Sequence, residues 1–454
     1  MTEIICISSP IQCLPIRSLL TQLSFRPQNS RQIAALSFLY PLNAKYRGAL
    51  QQLGCMESAP DAQFLGFATQ WRTRYRFTSL ALAIAPLVNE EGVTIYHAER
   101  MDDPSRLFFS ILSHYTCPEA IRLIMGPPKN ESAASLAATY IQPEESRLLD
   151  ILAKNSITVA EQDDLVRYGT ACVLTANFWQ GKVIYKKLAE FCDLPFAYHC
   201  LGMAYSFFGK TGRAEWYYEP SVAKQKDPIL KMRGLYSLAV LYLRYHPKWW
   251  KDSEKALSYI EKGCAVLEEC ASRISREDYL YSQVLFDAAK ALLVFKRGAF
   301  SQALTIINKA LAQVKTLPPS SMRSFCMAHG MSNVAQIHRA MGDLDKTAEI
   351  NKRIVEIDDR LPMWWEEYGK VLLELGRYDE AHQAILRGLE IHYDYPRLHA
   401  LLGLWSHKMG QAKQSVEAYE RACRYDPENK IFQAARNAAH ERAAAHTKKA
   451  AFSA

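Results

Sequence analysis

Residues 372–391, LLELGRYDEAHQAILRGLEI, decide the fold. They read as the end of one helix, a turn at Gly376, and an amphipathic second helix. Working outward, Gly342, Gly376 and Gly410 stand 34 residues apart twice over. A small residue precedes each glycine by seven positions, at Ala335, Gly369 and Gly403. Beyond the turns the same spacing aligns Thr347, Ala381 and Ser415, then Ile354, Gly388 and Ala422. These are positions where two helices need to approach closely, so the stretch is one copy of a unit.

The unit resembles the tetratricopeptide repeat, two antiparallel helices in 34 residues with small residues where they touch. In 362–395 the matching positions are Trp365, Tyr368, Gly369, Leu372, Gly376, Tyr378, Ala381, Ile385, Gly388 and Leu389. The unit 396–429 supplies Leu402, Gly403, Gly410, Tyr419 and Ala422 and closes on Pro427. An earlier copy, 195–228, carries Tyr198, Leu201, Gly202, Tyr205, Gly209, Ala214 and Tyr218. Longer units surround YHPKWWKD, which adds about five residues before Ala256, and Gly298 with Phe300, Ala303 and Ala310. A weaker copy has Asn177 at its turn. The resulting expectation is a mainly α, right-handed superhelical solenoid of about seven helix pairs over 151–429: 163–194, 195–228, 229–270, 277–317, 328–361, 362–395 and 396–429. A capping helix and basic tail, 430–454, follow.

Residues 1–150 depart from this pattern and predict a smaller domain, α/β or mostly helical. EIICIS and GVTIYHAE suit strands, and IRSLLTQLSF suits a helix. Further helices are expected at 44–53, 61–71, 104–114, 119–125 and 131–139, with QPEESRLLDILAKN leading into the repeats. The opening CISSPIQCLPIRSLL is faintly similar to the first strand and turn of bacterial sialyltransferase-like proteins over about fifteen residues.

The composition, 49% hydrophobic and 22% charged, is that of an ordinary folded protein. The N-terminus lacks the pattern of a secretory signal, and FTSLALAIAPLV is too short to span a bilayer, so a cytoplasmic protein without membrane insertion is expected. Eleven scattered cysteines argue against a disulfide framework and a zinc site. Residues 1–150 hold 13 basic and 13 acidic side chains, so the net charge of +8 lies beyond them.

No common nucleophile, zinc or phosphate-loop motif occurs, so no catalytic residue, metal or cofactor is assigned. ERMDDPSR reads as a helix start, with Asp103 as cap and Pro104 in the first turn. Cys6, Cys13 and Cys55 read as core. Trp365 falls at a packing position, whereas Trp364 and the loop pair Trp249 and Trp250 are expected to be more exposed.

The resemblance further implies a concave face lined by the first helix of each pair. Carried over position by position, it presents His329, Gln336 and Arg339, then Met363, Glu366, Lys370 and Glu374, then Arg397, His407 and Lys408. An earlier, more apolar stretch holds Phe196, His199, Met203 and Phe207. The packing glycines are Gly202, Gly209, Gly298, Gly342, Gly369, Gly376, Gly403 and Gly410. The lysine and asparagine clamp of chaperone-binding members is not reproduced, since His199 and Met203 stand in its place. The function expected is a non-catalytic scaffold or adaptor for a protein or peptide partner of acidic character, nucleic acid not being expected. The alternative is an enzyme or biosynthetic accessory whose N-terminal domain acts on a substrate presented by the repeats. Oligomeric state is left open.

Overall fold

The computed structural model describes residues 2–6, 9, 11–28, 30–41, 70–127, 143–359, 361–393, 395–427 and 429–452. They form two compact units, Met1–Val266 and Leu267–Ala454. The first repeats belong to the N-terminal unit.

The reason is visible in the core of the first unit. Strands β1 (Thr2–Ile5), β2 (Val93–Tyr96) and β3 (Ile121–Ile124) form a parallel sheet in the order β1-β2-β3, with Ile4 opposite Ile95 and Ile95 opposite Leu123. Helices α1 (Leu14–Gln22), α2 (Ser30–Leu39), α3 (Gln70–Glu91) and α4 (Asp103–Leu112) complete an α/β domain. Phe38, Phe77 and Phe108 meet edge to face at 5.3 and 5.5 Å, in one cluster with Ile4, Ile95 and Leu80.

Helix α5 (Pro143–Ala153) leads to the pairs α6 (Val159–Leu174) with α7 (Phe178–Cys192), α8 (Pro195–Phe207) with α9 (Thr211–Lys224), and α10 (Pro228–Val240) with α11 (Ser253–Cys270). Ile11 and Leu14 are buried among Leu165, Tyr168 and Ile184 of the first pair. Asn177 donates to the carbonyl of Phe38 at 2.9 Å, and the amide of Gln12 donates to Gln180 at 2.8 Å. These contacts tie the sheet domain to the repeats.

The second unit contains α12 (Arg276–Lys296) with α13 (Phe300–Val314), α14 (Ser321–Ala340) with α15 (Leu344–Ile357), α16 (Pro362–Glu374) with α17 (Tyr378–Ile391), and α18 (Pro396–Lys408) with α19 (Ala412–Tyr425). Helix α20 (Lys430–Phe452) follows, its Phe432 buried against Ala422 and Cys423. Counted over both units, the described residues contain seven such pairs.

The repeat spacing has a direct atomic cause. Gly342, Gly376 and Gly410 adopt φ of 83°, 75° and 73°, a left-handed turn that a side chain would strain. Between the helices, a Cβ on Gly202 would fall 2.6 Å from the Tyr218 ring, and one on Gly403 would fall 2.8 Å from Tyr419. The hydroxyls of Thr347 and Ser415 donate to the carbonyls of Ala335 and Gly403, at 3.4 and 2.8 Å. In the first pair the left-handed residue is Ala176 at φ 57°, not Asn177, which caps α7 by accepting from the Gln180 amide at 3.1 Å.

Three local expectations need correction. Residues 119–125 hold strand β3 rather than a helix, because the apolar run is short and pairs with β2. Helix α4 is capped by Asp102 rather than Asp103, its carboxylate accepting from the Ser105 amide at 2.8 Å. Trp364 is buried, while Trp365 is only partly so and donates to the carbonyl of Asp359 at 2.8 Å. The helices expected at 44–53 and 131–139, most of 61–71, and Cys55 lie outside the described residues. Among the described residues no helix is long and apolar enough to cross a membrane.

Candidate functional site

The expected charged positions come together on the first helices of the last three pairs. Arg339 near the end of α14 reaches across to α16, where it bonds Glu374 and lies 3.7 Å from Glu367. From the start of α18, Arg397 reaches back to Glu366 at 3.5 Å. The phenol of Tyr395 donates to the same carboxylate at 2.7 Å. Successive pairs are thus joined by side chains lying between the helices' packing positions, with Lys370 one turn from Glu366 and Glu374 on α16.

The electrostatics of this face differ from a simple basic groove. Both guanidinium groups already hold carboxylates, so the charge is locally balanced. Burial raises the Glu366 carboxyl above its usual range, while Arg397 and the Tyr395 hydroxyl pull it back. The Tyr395 phenol is raised in turn by burial and by Glu366. At the far end of α18, Lys408 and His407 are exposed, and His407 lies 3.5 Å from Arg442 of α20. Burial, with Arg442 and Lys408 nearby, lowers the His407 pKa. Lys370 and Lys408 are therefore the cations of this face that no carboxylate contacts directly among the described residues.

The apolar candidates of the first unit are not a surface. His199, Met203 and Phe207 are buried, and only Phe196 is partly open, its ring set edge to face against Tyr185 at 5.9 Å. Phe207 packs on Phe178 and Trp179 at 4.9 and 5.1 Å, and Trp179 also meets Phe38 of the sheet domain. Side chains that a free-standing array would turn toward a groove are taken up by the core that the N-terminal domain completes. The loop tryptophans Trp249 and Trp250, expected from the sequence to be exposed, are so, and they belong to a column of aromatic rings in the same unit.

The ends of the parallel strands carry the groups on which an enzymatic alternative would depend. Cys6 is buried, and burial together with Asp102 pushes its thiol up to about 12, which keeps it protonated and a poor nucleophile. Asp102 accepts from the amides of Ser105 and Cys13, at 2.8 and 3.0 Å, as a helix cap and a strut to α1. His97 pairs with Glu99 at 2.9 Å. These groups serve local structure.

Residues 396–429 match the family model described as tetratricopeptide repeat, the same 34 residues set off as the last unit by the glycine spacing. The tetratricopeptide-repeat recognition is borne out there. No curated protein matches the chain. Among solved structures, a tetratricopeptide repeat protein from Parabacteroides merdae is similar at 14% identity, with 62% of this chain and 98% of that one covered and a TM-score of 0.40. A Rap protein complexed with competence and sporulation factor is similar at 15% identity over 71% and 94% of the two chains, with a TM-score of 0.42. The PilF protein of Pseudomonas aeruginosa is similar at 14% identity over 53% and 95%, with a TM-score of 0.37. At these values no role is transferred from any of them.

Proposed function

We propose that this tetratricopeptide-repeat chain is a non-catalytic scaffold that holds a protein or peptide segment of acidic character along the face formed by α14, α16 and α18. The observation that carries the reading is the pair of exchangeable ion pairs joining successive helix pairs, Arg339 with Glu374 and with Glu367. Solvent-accessible pairs of this kind contribute about 0 to 1 kcal/mol each. A partner carboxylate can therefore replace Glu374 or Glu367 on Arg339 at little cost, and Lys370 and Lys408 add attraction without having to give up a carboxylate. The guanidinium accepts such an exchange well because its planar fork binds a carboxylate through two hydrogen bonds.

A displayed random peptide library selected on the immobilised full chain tests this. Acidic peptides are expected to be enriched, and their affinity should fall about tenfold in the Lys370→Ala/Lys408→Ala variant, with a flatter salt dependence. A selection without acidic enrichment, or an unchanged affinity and salt slope in the variant, overturns the reading.

A further inference from the structure

A second surface stands in the first unit, on the insertion between the helices of its third pair. Helix α10 ends in a π-helical turn, Leu241–Tyr245, closed by the His246 amide on the Leu241 carbonyl at 2.9 Å. Wider turns of this kind are rare and are frequently found at functional sites. The chain then lifts away as His246, Pro247, Lys248, Trp249, Trp250 and Lys251 before α11 begins.

The insertion builds a column of rings. His246 stacks on Trp250 at 4.5 Å and 15°, and Trp250 stacks on Trp249 at 5.5 Å and 20°. The inner end is fixed by a buried polar network. His246 meets Thr211 at 3.1 Å and Glu215 at 3.3 Å, and Glu215 also holds the Tyr242 hydroxyl and, at 2.9 Å, Lys255. Gly212 makes room for the column, since a Cβ there would fall 2.6 Å from Trp250. One turn along the same face of α9 stands Trp216. The outer rings are open: Trp249 is 81% exposed, Trp216 65% and Trp250 37%. Rigidly seated tryptophans left in water are the mark of a binding surface, because their orientation is already fixed before contact.

Charge selects the occupant. Lys248 and Lys251 flank the tryptophan pair, both exposed and with no carboxylate in contact among the described residues. Lys210, two residues before Gly212, is exposed as well. The nearest following carboxylate, Asp252, is engaged in capping α11, accepting from the amides of Glu254 and Lys255 at 2.9 Å each. We infer that the 246–251 insertion, together with Trp216, docks an acidic segment of a partner protein that carries an aromatic side chain among its carboxylates. The ring packs on the open faces of Trp249 and Trp216 while Lys248 and Lys251 hold the flanking carboxylates. A single-stranded nucleic acid fits less well. It calls for a basic groove tracking the backbone past successive platforms, whereas here one column stands beside Asp252 and Glu254.

The test uses the full chain and a short, tryptophan-free fluorescent peptide of Asp, Glu and Tyr. Its controls are the same peptide with Gly for Tyr and an oligothymidylate of equal charge. The tyrosine peptide should quench tryptophan emission and bind more tightly than either control. Trp249→Ala, at a position too exposed to disturb folding, should weaken binding about tenfold. Lys248→Ala/Lys251→Ala should flatten the salt dependence, and Lys370→Ala/Lys408→Ala should leave the quenching intact. Equal binding of the glycine peptide, tighter binding of the oligothymidylate, or indifference to Trp249→Ala overturns the inference. If only the Lys370→Ala/Lys408→Ala variant loses binding, the probe sits on the second unit, which sinks the loop assignment and leaves the scaffold reading standing.

Discussion

At the scale of the residue, the repeat is a rule about which side chain each glycine faces. Gly169, Gly202 and Gly403 face the rings of Tyr185, Tyr218 and Tyr419, at 2.7, 2.6 and 2.8 Å from an added Cβ. The corresponding Gly369 faces Ile385 at 3.1 Å. A flat ring pressed on a helix backbone cannot yield as an aliphatic branch can, so the two substitutions should differ. Gly403→Ala is expected to cost about 1 to 3 kcal/mol through overpacking, and Gly369→Ala less. Denaturant unfolding of both variants checks the order; equal or reversed losses would mean that the ring is not the obstacle. The 34-residue spacing of the turn glycines was legible in the sequence and carried the register of the helix pairs. What spacing could not reveal was which first-helix residues stay open. Met203 and Phe207 are at groove positions by repeat geometry, yet both are buried, Phe207 against the rings of Phe178 and Trp179 on another helix.

At the scale of the element, a buried ion pair helps fasten the N-terminal domain. Arg17 on α1 holds Glu145 on α5 at 2.8 and 2.7 Å, donates to the carbonyl of Leu39 at the end of α2, and lies over the ring of Tyr40 at 4.6 Å. Three elements distant in sequence thus meet at one guanidinium. Arg17→Met leaves Glu145 buried without its cation, and such a loss costs about 3 to 5 kcal/mol. The double variant Arg17→Met/Glu145→Leu should recover much of it, since both charges are then gone. Unfolding curves of the single and double variants decide; a single variant as stable as the parent would show the pair to be dispensable. Nothing in the local sequence announces this contact, because its partners lie 128 positions apart and neither residue belongs to a motif. Helices α1 and α5 were legible from their apolar periodicity. Strand β3 was not, for four residues with a mostly exposed face show neither period clearly.

At the scale of the whole molecule, acid probes the first unit through one enclosed imidazole. His199 is fully enclosed there, and burial, with Arg233 nearby, lowers its pKa to about 4 from an ordinary 6.5. The folded chain thus keeps this imidazole neutral where the unfolded chain has already taken up a proton. Between pH 6.5 and about 4 the unfolded state binds more protons, so the stability of the first unit falls as pH falls through that window and levels off below it. The gap corresponds to about 3 kcal/mol at its fullest extent. His246, lowered mainly by its own burial, acts in the same direction. Replacement of the titrating group by His199→Gln should flatten the acid slope of the transition that reports on the first unit. Gly403→Ala should instead shift the transition of the second unit at neutral pH. Calorimetric scans of the two variants from pH 7 to 4 separate these effects; a single transition displaced alike by both substitutions would mean that the chain unfolds as one cooperative body, and an acid slope untouched by His199→Gln would assign it to other carboxylates or imidazoles.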